Sequence, residues 1–266
     1  MVKIIFLAIY NETSDYLQMY KLHKYYLNYM KHINRANIKY YFIIFKELEN
    51  RDYLVDDKNY ILYINGTESF IPGILDKTIK AFDVIHNKLN LEYDFIFRTN
   101  VSSFVQFQNV FSYLKNFPEP KKEMYYIGPT RDLQWIDKPS GIMDETYWGT
   151  IYCTGSCIIF SPSLIKNILD NREKIHYNII DDVSIGHYIS SIKNVKIINI
   201  EPTYFSLNPH NLSLNKNHLC YMNNFNKQNR IIDINNLKKI MIKSIHSIQR
   251  SKLIYINPKV RLLYNL

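Results

Sequence analysis

Cysteine is scarce in this sequence, with 3 residues among 266. So few cysteines exclude the disulfide framework of a small secreted domain. Cys153 and Cys157 lie in a segment that we predict to be one strand, where their Cα atoms would be roughly 13 Å apart, whereas a disulfide spans at most about 7 Å. The same separation argues against both thiols binding one metal ion. We therefore expect buried free thiols in a reducing compartment.

Long apolar runs are also missing. The first apolar run, residues 2–9, is too short to span a bilayer, and no small-residue cleavage site follows it. The sequence therefore predicts no signal peptide and no transmembrane anchor. We expect a cytoplasmic protein that is soluble or peripherally associated with a membrane.

Acidic residues are absent from two stretches. None lies between Asp94 and Glu119, and none from Ile234 to the C-terminus, where the chain has seven lysines and arginines. The whole chain carries a net charge of +9, which favours a phosphate-bearing ligand, a nucleic acid or an anionic membrane as partner. No recognisable nucleic-acid-binding motif accompanies the charge. No specific nucleic-acid partner is predicted, and a basic nucleic-acid-binding protein is kept as an alternative.

Short apolar runs alternate with helix-like segments through the first hundred residues, which indicates βαβ units and a mainly parallel sheet. The predicted strands are 2–9, 39–45, 60–64, 93–99, 124–128, 152–160 and 195–200. The predicted helices are 16–31, a segment that starts near Pro72, 163–171, 179–192 and a basic C-terminal helix at about 231–253. Residues 208–230 are predicted to be a loop. The simplest organisation is one α/β domain over residues 1–266.

The strand that ends in "DFIFRTNVSSF" delivers polar side chains to the edge of the predicted sheet. Phe95-Ile96-Phe97 is followed directly by Arg98, and then by Asn100 and Ser102. Ligands of α/β proteins bind at such strand ends. This strand end offers no carboxylate, so it lacks the ligand that hard divalent cations normally require.

Two later segments add further candidate residues. "YCTGSCIIFSPS" has Gly155-Ser156 inside a predicted strand, and either a strand bulge or a close backbone approach to a ligand would explain that pair. "DDVSIGHYI" places Asp181 and Asp182 at the start of a helix. Carboxylates there can cap the helix, or one of them can act as a general base.

These segments, in this order, resemble the β-1,3-glycosyltransferase family, the Fringe-type enzymes included. Leu75-Asp76-Lys77-Thr78 matches the family's Leu-x-Lys-Thr helix, Gly155 and Ser161 match its strand with Gly and a later Ser, and 181–186 matches its acidic pair leading to Gly. The resemblance covers roughly residues 62–189. It implies a single GT-A-like α/β domain with a mainly parallel sheet flanked by helices. It also implies inverting transfer of a hexose from a nucleotide-diphosphate sugar, UDP-linked, to a glycan, lipid-linked or other hydroxyl acceptor.

The resemblance also assigns roles to residues. Asp182 matches the family's catalytic base, with Asp181 as the fallback. Lys77 matches a lysine near the donor phosphates, although a solvated helix lysine would explain it equally well. Gly155 and Ser156 would lie against the donor sugar or the acceptor.

The family's Asp-x-Asp metal motif falls on Asn100-Val101-Ser102, a departure that removes both carboxylates. No cofactor is therefore expected to be required, and tight binding of Mn²⁺ or Mg²⁺ is not predicted. Arg98, Lys77 and His218 would then offset the charge of the leaving diphosphate. His218 and Arg230 could equally be ordinary polar residues, and His210 and His187 are weaker candidates.

Two alternatives stay open. The apolar positions of the C-terminal helix could pack on the domain, or the helix could attach the protein peripherally to anionic membrane. The chain could also be an inactive relative that keeps the fold and binds a nucleotide or glycan.

Overall fold

The computed structural model describes residues 2–34, 38–204, 214–215, 217–222 and 230–252. Among them, no helix is both long and apolar enough to cross a membrane. The strands are β1 (Ile4–Ile9), β2 (Lys39–Lys46), β3 (Tyr53–Asp56), β4 (Ile61–Asn65), β5 (Phe95–Asn100), β6 (Phe104–Val105), β7 (Met124–Gly128), β8 (Thr130–Asp132), β9 (Ile151–Cys153), β10 (Cys157–Phe160), β11 (Val195–Asn199), β12 (Thr203–Tyr204) and β13 (Cys220–Met222). The helices are α1 (Ser14–Asn34), α2 (Gly73–Asp83, continued by one π-helical turn to Lys88), α3 (Phe107–Leu114), α4 (Pro162–Asp170), α5 (Asp181–Ser190) and α6 (Arg230–Lys252).

The chain divides into two compact units. The first comprises Met1–Asn11, Ile38–Asn100 and Phe111–Glu201, and the second comprises Glu12–Asn37, Val101–Val110 and Pro202–Leu266. The prediction of one domain over the whole chain stays a prediction.

A mainly parallel sheet of eight strands forms the first unit. Its order is β11-β7-β10-β5-β1-β2-β4-β3, and only β3 and β10 run against the others. Continuous apolar runs, such as the buried residues of β1 and β5, form these strands because both faces of a parallel sheet are covered. The predicted α/β class with a mainly parallel sheet flanked by helices is confirmed.

Helices α2, α4 and α5 supply apolar side chains to one core with this sheet. Leu75 and Phe82 of α2, Leu164 of α4 and Ile185 of α5 are buried in the same cluster as the strand residues. The helix predicted at 163–171 is α4 (Pro162–Asp170), and Ser161 caps it, because its hydroxyl accepts a hydrogen bond from the backbone N–H of Leu164.

The second unit contains α1, α6 and the three-stranded sheet β12-β13-β6. The predicted apolar face of α6 is turned inward, since Leu237, Met241, Ile245 and Ile248 are buried. Within this unit, therefore, the described part of α6 uses its apolar face for packing. Peripheral membrane contact through its basic side chains stays a prediction, and residue 253 lies outside the described residues.

Some sequence predictions were wrong in detail. The predicted strand 152–160 is two strands, because a turn at residues 154–156 sends β9 into a two-stranded sheet with β8 and β10 into the main sheet. The predicted loop 208–230 contains β13, and β3 was not predicted. The three cysteines are free and buried, as expected, although the extended spacing assumed for Cys153 and Cys157 does not hold across the turn.

Candidate active site

Three segments of the first unit converge at the carboxyl end of β5. They are the end of β5 itself, the turn between β9 and β10, and the first turn of α5. β10 pairs with β5 in antiparallel register, with Cys157 opposite Thr99, so the turn before β10 lies beside the end of β5. Ligands of open α/β sheets bind at this edge.

Arg98 and Asp181 form a buried ion pair beneath this edge. The Nη2 atom of Arg98 donates to Oδ2 of Asp181 at 2.5 Å, and the two side chains are 2% and 5% exposed. The Nε and Nη1 groups of Arg98 have no hydrogen-bond partner. Buried donors are normally satisfied, so Nε and Nη1 leave part of this buried guanidinium without a partner.

Gly155 makes room for the guanidinium of Arg98. A Cβ atom at position 155 would lie 2.6 Å from Nη1 of Arg98, closer than a carbon and a nitrogen atom can approach. Gly155 belongs to a turn, so the strand-bulge interpretation does not apply. A side chain at position 155 would therefore have to displace the guanidinium that packs against the Gly155 backbone.

Asp182 lies next to the buried pair and is itself partly exposed. Its Oδ2 accepts a hydrogen bond from the Gly155 N–H at 3.1 Å, and its Oδ1 accepts one from the Val183 N–H at 2.9 Å. The residue that caps α5 is Ile180, which provides no side-chain cap. Asp181 is used in the ion pair with Arg98, so simple N-capping does not account for both acids.

The pKa of the Asp182 carboxyl is raised from 3.8 to about 7. Burial is the largest cause, followed by repulsion from Asp181, while Arg98 and the hydrogen bonds from Gly155 and Val183 oppose the rise. A carboxylate with a pKa near neutrality can accept and release a proton at physiological pH, which is the property of a general base.

Thr99 and Pro129 hold the turn in place. The Thr99 hydroxyl donates to the Ser156 carbonyl at 2.8 Å, and the Thr154 N–H donates to the Pro129 carbonyl at 2.9 Å. Ser156 therefore contributes a backbone contact that fixes the turn beside Asp182. Its predicted contact with a donor sugar or acceptor stays a prediction.

Lys77 is buried in α2 and is not a solvated helix lysine. Its Nζ donates to both carboxylate oxygens of Glu68, at 2.7 and 2.8 Å, and to the Tyr10 carbonyl at 2.9 Å. These contacts occupy its three donors. Burial lowers the pKa of the Lys77 ammonium, and the contact with Glu68 opposes that effect. To contact a phosphate, Lys77 would have to release one of these partners.

The end of β5 presents few metal ligands. Asn100 is partly exposed beside Ile9 of β1, and it supplies a neutral amide. In the part of the chain that the structure describes, no three His, Cys, Asp or Glu side chains group to hold a metal ion. A carboxylate-bound divalent cation therefore does not fit the side chains at this strand end.

The remaining candidates lie in other places. Ser102, partly buried, and His218 belong to the second unit, where the His218 Nδ1 lies 3.3 Å from the Tyr221 hydroxyl. Arg230, in the same unit, pairs with Asp233 and stacks on Tyr16. In the first unit, the Nδ1 of His187 lies 3.2 Å from the Thr150 hydroxyl. His210 lies outside the described residues.

Sequence reasoning missed Glu68, which holds Lys77, and Thr99, which holds the turn. Hydrophobic periodicity does not reveal a single polar residue. Contacts between residues that are 9 or 57 positions apart in the chain cannot be recognised from the local sequence pattern. Sequence reasoning also missed Trp135 and Trp148, both exposed. The sequence did hold an indication of them, because the chain has 2 tryptophans and both lie within one short segment, 13 residues apart.

The fold and site together define a Rossmann-like α/β protein with an acidic pair at the carboxyl edge of its sheet. The sequence model of the galactosyltransferase family matches residues 28–201, which is more than half of the chain. The chain therefore belongs to the galactosyltransferase family, a family of glycosyltransferases.

No curated protein matches the chain significantly. Among solved structures, the chain is similar to 4-diphosphocytidyl-2C-methyl-D-erythritolsynthase from Anaerococcus prevotii DSM 20548. That similarity has 12% identity and a TM-score of 0.40, and it covers 75% of this chain and 90% of the other. A similarity this low supports no conclusion about fold or substrate.

Proposed function

We propose that the chain transfers a hexose from a UDP-sugar to a hydroxyl of a glycan or lipid-linked acceptor, with inversion, in a GT-A-like fold of the Fringe-type group. The observation that supports this most is the constellation of Asp182, Arg98–Asp181 and Gly155 at the edge of the sheet, in a chain of the galactosyltransferase family. The raised pKa of Asp182 suits its assignment as the base.

In this reaction, Asp182 takes the proton of the acceptor hydroxyl. The hydroxyl oxygen forms a bond to the anomeric carbon from the face opposite the diphosphate. The bond from that carbon to the phosphate oxygen breaks, and its electron pair leaves with the nucleoside diphosphate. A single displacement of this kind inverts the anomeric configuration.

Arg98 acts first as a positioning residue in this proposal. Its ion pair fixes Asp181. Its positive charge lowers the pKa of Asp182 and so opposes the rise that burial causes, which favours the ionised carboxylate that a base requires. The positive charge of its buried guanidinium also lies at the strand end, where it favours the negative charge that develops on the leaving group. Lys77 and His218 stay proposed contacts to the donor phosphates.

The proposed transfer does not depend on a metal ion. Asn100 and Ser102 take the places where the resembled family has carboxylates, and neutral oxygens alone bind Mn²⁺ or Mg²⁺ weakly. Such an ion, if bound, would supply positive charge to the diphosphate. No step above requires it.

The test is an assay of UDP-sugar turnover over a panel of donors, each with and without EDTA. We expect turnover of at least one donor, retained in EDTA. Asp182→Asn should reduce transfer roughly 100- to 10,000-fold while donor binding is retained. Asp170→Asn, which alters an exposed carboxylate on α4, is the matched control and should leave transfer unchanged.

Binding of UDP-sugar without turnover in the wild-type protein would indicate an inactive relative and would refute the transfer. Full activity of Asp182→Asn would refute the base assignment, and complete loss in EDTA, restored by Mn²⁺, would refute metal independence.

A further inference from the structure

Residues 133–150, which we call the tryptophan loop, expose two aromatic side chains. Trp135 is 42% exposed and Trp148 is 44% exposed, and the neighbouring Met143 is exposed as well. Exposed tryptophans are unusual, since a large apolar ring normally packs away from water. Exposed apolar side chains that lie together on a surface are typical of binding sites.

Both tryptophans are at the base of this loop. The Leu133 N–H donates to the Thr150 carbonyl at 3.0 Å, and the Gly149 N–H donates to the Leu133 carbonyl at 2.9 Å. Trp135 is two residues from Leu133, and Trp148 directly precedes Gly149. The two indoles therefore belong to facing arms of a loop that its own backbone hydrogen bonds close.

A small apolar core makes this loop a fixed platform. Leu133, Ile142 and Tyr147 are buried in one cluster with Ile179 and Val183. This cluster is separate from the main core of the sheet. The two exposed tryptophans therefore belong to a loop whose buried apolar side chains are packed in a core.

The platform rests on the first turn of α5. The Ile180 N–H donates to the Ser140 carbonyl at 2.9 Å, and Gly141 approaches so closely that a Cβ there would lie 2.2 Å from the Asn178 carbonyl oxygen. Val183, which the loop covers, directly follows Asp182. The tryptophan loop is therefore packed against the same helical turn that carries the proposed base.

Charge decides which partner this surface fits. The loop has three carboxylates, Asp137, Asp144 and Glu145, and one lysine, which give a net charge of −2 in a chain of +9. An anionic lipid or a nucleic acid would be repelled there. A neutral sugar offers an apolar ring face to an indole and hydroxyl groups to carboxylate acceptors.

We propose that the tryptophan loop is the acceptor subsite, where Trp135 and Trp148 stack on sugar rings of a neutral glycan next to Asp182. This proposal rests on the proposed glycosyl transfer and names the substrate surface of that site. It favours a glycan acceptor over the headgroup of an anionic lipid.

The first test uses tryptophan emission, which in this chain can report only on these 2 residues. Excitation at the red edge of the absorption band avoids the tyrosines. Methyl β-galactoside, methyl β-glucoside, methyl β-N-acetylglucosaminide and methyl α-mannoside are titrated into the full chain without donor. We expect at least one of them to shift the emission saturably. Sorbitol, which has hydroxyls but no ring, should not.

The second test is steady-state transfer to the same glycosides by variants. Trp148→Ala and Trp135→Ala should raise the acceptor KM about tenfold, as expected when one stacking contact is lost. The effect on kcat should be smaller. Leu54→Ala, which truncates another exposed apolar side chain on the edge strand β3, should leave the acceptor KM unchanged. Trp148→Phe should retain most of the acceptor affinity that Trp148→Ala loses.

The outcomes separate this proposal from the proposed function. If Trp135→Ala and Trp148→Ala transfer the sugar normally, the proposed subsite is wrong and the proposed transferase activity stands. The same conclusion follows if the wild type transfers the sugar but its emission does not change on glycoside binding. A saturable emission change without any transfer supports the sugar surface while the transferase activity fails. Emission that responds to protein concentration or to anionic vesicles, and not to glycosides, overturns the subsite in favour of an interface between copies or a lipid surface.

Discussion

The raised pKa of Asp182 makes its role testable through pH. If Asp182 must be ionised to take the acceptor proton, kcat/KM should rise about tenfold per pH unit below its pKa of about 7 and level off above it. Asp182→Asn should abolish this limb of the profile together with roughly 100- to 10,000-fold of the rate. The measurement is a pH–rate profile at subsaturating acceptor.

The same pKa has a consequence for stability. An unfolded aspartate loses its proton near pH 3.8, whereas native Asp182 keeps its proton up to about pH 7. Between these pH values the native state binds more protons, so the free energy of unfolding falls as pH rises, until the native carboxyl ionises. From pH 5 to pH 8 the fall is at most about 3 kcal/mol, at about 1.4 kcal/mol per pKa unit. Solvent around the partly exposed carboxyl reduces it to about 2 kcal/mol.

The asparagine of Asp182→Asn does not titrate, so the variant should lack this fall in the free energy of unfolding. Relative to the wild type, Asp182→Asn should be about 2 kcal/mol more stable at pH 8 than at pH 5, measured by urea unfolding at both values. Comparing two pH values cancels the pH-independent cost of the substitution. Equal relative stability at both values would refute the raised pKa. Asp170→Asn makes the same substitution at an exposed carboxylate of α4 and is the control for the substitution itself.

Four further variants probe the acidic pair and Lys77. Gly155→Ala places a methyl group 2.6 Å from Nη1 of Arg98, so it should lower the free energy of unfolding by about 2–3 kcal/mol and reduce turnover; an unchanged melting curve would contradict the contact. Arg98→Met leaves Asp181 as an unpaired buried charge, so it should lower the free energy of unfolding by about 3–5 kcal/mol. The apparent pKa in the pH–rate profile should rise, because Arg98 lowers the pKa of Asp182. An unchanged apparent pKa would contradict this coupling. Glu68→Gln removes a charge-assisted contact of buried Lys77, worth about 1.5–3 kcal/mol of the free energy of unfolding. Lys77→Met should raise the donor KM; an unchanged donor KM would contradict the proposed contact of Lys77 with the donor phosphates.

The order of strands and helices followed from local pattern. Residues 124–128 were predicted as a strand and form β7 with those bounds, and the helix predicted at 163–171 is α4, Pro162–Asp170. The acidic pair was placed correctly at the start of α5. Such features are visible because hydrophobic periodicity and helix caps act over a few residues.

The irregular parts of the chain were harder to predict. Residues 152–160 have the composition of one strand, but the turn around Gly155 divides them between two sheets. A single glycine in a strand-like pattern is compatible with a bulge, a turn or a close contact. Which of these occurs depends on the guanidinium of Arg98, which lies 57 residues earlier in the chain.

By itself, the sequence determined an α/β fold with a mainly parallel sheet, the polar end of β5, and the presence of adjacent carboxylates at a helix start. Only the tertiary structure decided that Arg98 pairs with Asp181 across 83 residues and that Lys77 is held by Glu68. It also decided that Asp182 has a pKa near 7. The reason is physical: strand and helix signals come from neighbours along the chain, whereas burial, ion pairing and pKa depend on groups that only folding brings together.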